Sequence, residues 1–83
     1  MNNAIEDNKF SWNAVVRVKD NVPECSHPGE IASVCGMEKV EFQEVAQQYH
    51  TQVGRWIYTI EFNGGNDITI PEEYLELLER AAE

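Results

Sequence analysis

The chain has 83 residues, 42% of them hydrophobic, with six Lys and Arg against fifteen Asp and Glu and a formal net charge of −9. That length supports one domain around one small core. The acidity disfavours nucleic acid and anionic membrane surfaces, which are bound through Lys and Arg clusters that this chain lacks. No apolar run approaches the roughly 20 residues of a membrane-spanning helix. The first residues carry Glu6 and Asp7 where a signal peptide would have an apolar stretch. A cytoplasmic protein is therefore expected. Its two cysteines, Cys25 and Cys35, are too few for the disulfide scaffold of a small secreted domain.

Residues 1–9 are polar and aperiodic and read as a disordered tail, followed by a single domain over 10–79 and a short tail at 80–83. Phe10 and Trp12 alternate with Ser11 and Asn13. They either begin the first strand or lead into it, their aromatics covering the core. A strand follows over Ala14 to Val18, with Arg17 and Lys19 pointing away from Val16 and Val18. Between Asp20 and Gly29, Pro23, Pro28 and Gly29 break the ladder, so a long loop is expected, the kind of segment that carries specificity. Cys25 falls in that loop.

Gly29 opens and Gly36 closes a second strand, in which Ile31, Ser33 and Cys35 face one way and Ala32 and Val34 the other. Its apolar character on both sides predicts a central strand covered on both faces, with Cys35 packed as a small hydrophobe. Over Met37 to Gly54 two readings stay open. Phe42, Val45, Ala46 and Tyr49 stand at helical spacing, which favours a two-turn helix inserted between strands. An irregular hairpin is the alternative. Trp56, Tyr58, Ile60 and Phe62 alternate with Ile57, Thr59 and Glu61 and give the strongest strand signal. Asn63-Gly64-Gly65-Asn66 then turns the chain into a strand at Ile68 to Ile70. Pro71-Glu72-Glu73-Tyr74 starts either a helix running to Ala82 or a single 3₁₀ turn followed by a last strand through Leu75 and Leu77. The sum is a mainly β domain: about five short antiparallel strands curled into a small barrel with one helical insertion.

Val16-Arg17-Val18, the run Pro28 to Gly36, the run Tyr58 to Gly64 and Ile70-Pro71-Glu72-Glu73-Tyr74-Leu75 together cover about two-thirds of the chain. Their order resembles bacterial SH3-like small barrels. Length, acidity and single-domain format are most similar to the immunity protein 31 family of polymorphic toxin systems. That resemblance implies a protein that binds and occludes a cognate toxin. An accessory SH3-like subunit docking on a larger enzyme or redox complex is the alternative. Small barrels host many functions, so the fold alone does not choose between them.

Catalytic chemistry finds little support. Cys25, His27, Cys35 and His50 lack the paired spacing of a tetrahedral zinc site. Nothing in the pattern orients a histidine toward either thiol, and acidic surroundings raise a thiol pKa. The carboxylate pairs Glu41 and Glu44, Glu72 and Glu73, and Glu76 and Glu79 read as solvated charge rather than a shielded acid–base pair. No catalytic residue, cofactor or metal is expected. Trp12, Glu24, Tyr49 and Trp56 are the candidate partner-binding residues: aromatics to anchor and an acid to steer a basic protein. Alternation places Trp56 beside Tyr58, Ile60 and Phe62, so a core role competes with a surface role there.

Overall fold

The computed structural model describes residues 9–79; of the tails expected at 1–9 and 80–83, all but Lys9 lie outside the described residues, and the Lys9 N–H is hydrogen-bonded to Glu72. Five strands form one antiparallel sheet: β1 (Val15–Val18), β2 (Ile31–Lys39), β3 (Trp56–Phe62), β4 (Asp67–Pro71) and β5 (Leu75–Glu79). Their spatial order is β4-β3-β2-β1-β5. One helix, α1 (Gln43–Gln48), lies between β2 and β3, and 3₁₀ turns occupy Glu24–Ser26 and Glu72–Tyr74.

The connection between β4 and β5 forces the sheet to curl. These strands are the two edges, and a flat five-stranded sheet would hold its edges about 19 Å apart. Only Glu72, Glu73 and Tyr74 separate them, a link that spans at most about 14 Å when extended. Wound as a 3₁₀ turn it spans less. The sheet therefore rolls into a small SH3-like barrel whose edges approach without pairing. The 3₁₀ turn and last strand occur; the alternative helix from Pro71 does not form over the described residues.

Curling gives the sheet an inside. Val16 and Val18 of β1, Ala32 and Val34 of β2, Trp56, Tyr58, Ile60 and Phe62 of β3, Ile70 of β4 and Leu75 of β5 are buried in one cluster. Phe10 and Ala14 complete it, so the segment before β1 is a lead-in whose Phe10 covers the core. Each large apolar side chain buried this way contributes about 1.5–3 kcal/mol relative to leaving it in water.

The second strand departs from expectation in three ways. It runs on to Lys39 instead of closing at Gly36. It is central, but Ile31, Ser33 and Cys35 are exposed, because a single curled sheet leaves its outer face bare wherever nothing packs on it. Cys35 is the extra residue of a β-bulge, since Val34 pairs with Ile60 and Gly36 with Thr59. The thiol is thus on the surface, not in the core. Gly36 fits because Thr59 lies over it: a Cβ there would stand 3.3 Å from the Thr59 Cβ.

Helix α1 covers part of the outer face. Ala46 packs with Val40 and Ile57, and Val45 and Tyr49 close over them. Phe42, expected on the same buried stripe, instead precedes the helix in extended conformation and is 64% exposed. The helix begins one residue later, so its apolar face starts at Val45.

Candidate functional site

Two adjoining depressions lie along the outer edge of β4, where the end of α1 and the 3₁₀ turn at Glu24–Ser26 approach it; a third, of about 470 Å³, lies apart between Lys9, Phe10, Lys19 and the start of β5. One cleft of about 330 Å³ is lined by Pro23, Cys25, Tyr49, His50, Pro71 and Tyr74, with Ile68, Thr69 and Ile70 along β4. A second, of about 430 Å³, opens on the outer face of the sheet over Gly36, Ile57 and Thr59, with Val45 and Tyr49 as its helical wall. Gln48, Tyr49 and Thr69 line both. Tyr49 is therefore the ridge between two adjoining depressions. No Lys or Arg lines either cleft among the described residues, and Glu38 contributes to the larger one.

Four hydrogen bonds, in two sets around Glu73 and Glu72, hold this region in place. The Thr51 hydroxyl donates to Glu73 Oε2 at 2.7 Å, tying the chain leaving α1 to the turn before β5. Glu73 Oε1 is buried without a hydrogen-bond partner among the described residues. Beneath the same turn, the Tyr58 hydroxyl donates to Glu72 Oε2 at 2.6 Å, and the Lys9 backbone N–H donates to that oxygen at 2.9 Å. The Phe10 N–H in turn donates to the Tyr58 oxygen at 3.3 Å. Burial, reinforced by the hydrogen bond to Glu72, pushes the Tyr58 pKa well above its ordinary value.

Glu72 corrects the sequence reading. It was expected among solvated carboxylates but is 8% exposed. Being first in the 3₁₀ turn, it points back under the barrel, where a tyrosine of β3 and the N-terminal lead-in supply its donors. The partner tyrosine is 14 residues away in sequence and the amide 63, so no local pattern reveals the set.

The sequence-selected residues separate. Tyr49 sits at the cleft, half-buried, and Glu24 is exposed in the turn between the lining residues Pro23 and Cys25. Trp12 is 58% exposed in the lead-in and lines none of these clefts. Trp56 is 9% exposed within the main core cluster, so its side chain packs inside the barrel instead of offering an anchor to a partner. Tyr74, which sequence reasoning weighed as an extension of an aromatic platform, lines the smaller cleft, and the lining residues it missed are Pro71 and Thr69. The Pro-Glu-Glu-Tyr phrase before the last strand was a signal for Pro71.

Comparison of the chain with protein-family models, with curated proteins and with solved structures gives no match. The chemistry of the site stands on its geometry.

That geometry offers recognition groups. Cys25 and His50 share the smaller cleft, but Cys35 lies apart on the bulge, its exposed thiol raised in pKa by slight desolvation against the sheet and then by the charges of Asp67 and Glu61. His27 packs against the Phe62 ring at 4.9 Å between centroids. Among the described residues no group of three or more His, Cys, Asp or Glu is placed to hold a metal ion. No described helix is long and apolar enough to cross a membrane.

Proposed function

We propose that this protein is a non-catalytic binding module for another protein, and that the contact centres on the cleft at the β4 edge. The observation that carries this reading is the convergence there of Pro23, of Tyr49, and of Pro71 with Tyr74, from three separate segments. Tyrosines give large contact area at low conformational cost and carry a hydrogen-bonding tip. Glu24 stands at the rim, and the chain as a whole has a net charge of −9. Such a field draws a basic partner and repels an acidic one. The resemblance to the immunity protein 31 family supports a toxin domain as that partner, held with its active site covered.

Affinity capture with the immobilised protein and with Tyr49→Ala, followed by quantitative mass spectrometry, tests the reading. A basic protein retained by the parent and lost about tenfold or more with the variant is expected, since a central interface tyrosine is typically worth over 1 kcal/mol. Equal retention by both would remove the cleft from the contact. Capture of nucleic acid in place of protein would overturn the reading altogether.

A further inference from the structure

The β4 edge presents main-chain groups as well as side chains. β4 pairs with β3 alone. The Phe62 N–H donates to the Asn66 carbonyl at 2.8 Å, which sets the alternation along the hairpin. The pairs Ile60 with Ile68 and Tyr58 with Ile70 then exchange main-chain bonds, while Glu61 with Asp67, Thr59 with Thr69 and Ile57 with Pro71 turn theirs outward. Two facts agree with this phase. The Thr59 and Thr69 hydroxyls meet at 2.8 Å, as side chains do in the closer, non-bonded pairs. Pro71, which has no N–H to give, falls on an outward position.

The N–H and C=O of Asp67 and Thr69 and the C=O of Pro71 thus face away from the sheet. None of them takes part in the main-chain bonds that the described residues make outside the ladders. Thr69 lies where the two clefts meet. One cleft opens toward the outer face of the sheet and the other runs along Ile68 to Pro71. Side chains of an added strand would alternate between them, because successive residues of a strand point to opposite faces.

We infer that the partner binds by adding an extended segment to the β4 edge, pairing with the outward groups of Thr69 and Asp67 and placing alternate side chains in the two clefts. The segment is one that carries lysine or arginine: Asp67 is at one end of the edge, Glu38 is in the larger cleft, and no basic residue of the described chain lines either. Main-chain bonds supply affinity in this mode and the clefts supply selectivity. The inference rests on the proposed binding function and specifies its geometry.

The test uses the intact protein and three synthetic peptides: an acetylated, amidated hexapeptide alternating lysine and valine, the same peptide N-methylated at alternate amides, and its glutamate-for-lysine twin. In the free protein the Thr69 amide should exchange with solvent much faster than those of Ile68 and Ile70. Comparable protection of all three would show the edge to be closed and overturn the inference. The basic peptide should bind and slow exchange at Thr69. N-methylation should weaken binding by about tenfold or more, as loss of one or two hydrogen bonds does, and the acidic twin should not bind. Failure of the basic peptide to bind at millimolar concentration overturns the inference. Equal binding of the N-methylated peptide, still abolished by Tyr49→Ala, would leave the cleft as the contact and remove strand addition. Thr69→Pro, which deletes an N–H that the ladder does not use, should abolish binding of the basic peptide while leaving the β signal in circular dichroism unchanged.

Discussion

The inside and the outside of this barrel are packed on different scales. Inside, twelve buried residues from all five strands and the lead-in form one cluster. Outside, only Val40, Ala46 and Ile57 are buried together, roofed by one short helix. The first cluster joins segments from end to end of the described chain, so it specifies the fold. The second pins α1 to β3 beside the cleft with three residues, a thin attachment for the wall of a binding surface. Regions with few buried apolar contacts open at lower free energy than the core. The proposed recognition surface is therefore built on the softer part of the molecule, over the packed interior of the barrel.

Substitutions on the two sides should separate these roles. Ile60→Ala, which empties a fully buried position in the barrel, should destabilise the whole domain by about 3–4 kcal/mol in chemical denaturation. A loss under about 1 kcal/mol would mean that the interior does not carry the fold. Tyr58→Phe keeps the ring but removes the donor to buried Glu72, and should cost about 2 kcal/mol. Its pH signature is distinct. Because the Tyr58 pKa is raised in the folded state, its contribution is fully present below the ordinary tyrosine value of about 10 and is lost as pH rises above it. The parent should therefore lose stability on alkaline titration with a slope that Tyr58→Phe reduces.

Ala46→Gly attacks the outer cluster, where a glycine in a helix interior costs about 1 kcal/mol. Hydrogen exchange should quicken over residues 43–51 while the amides of β1, β2 and β3 keep their protection. Uniform quickening would show that helix and barrel are a single cooperative unit. Trp12→Ala, at an exposed position away from the clefts, should shift stability by no more than about 0.5 kcal/mol and leave partner capture intact. Lost capture would move the interface from the β4 edge to the lead-in.

Period-two alternation, glycine and proline punctuation and the run Trp56 to Phe62 were enough to read the mainly β class and the first four strands from sequence, while the helix was favoured over a hairpin by spacing alone and the last strand stood level with a helix. These are local signals, written in neighbouring residues. Tyr49, which lines the cleft, and Glu24, which lies beside it, stand out in the sequence for the same reason: one is an aromatic at the end of a helical stripe, the other an acid in a proline-rich loop.

What tertiary structure decided was which faces met something. Ile31 and Cys35 look like core by composition, yet they lie on the side of a one-layer sheet that nothing covers. Trp56 and Trp12 are the same residue type, but only the curl of the sheet buries one and leaves the other in solvent. Glu72 reads as surface charge until the turn folds it beneath Tyr58 and the lead-in. Sequence sets what each segment prefers by itself. Burial and pairing depend on groups dozens of residues away, and only the closing of the sheet brings those together.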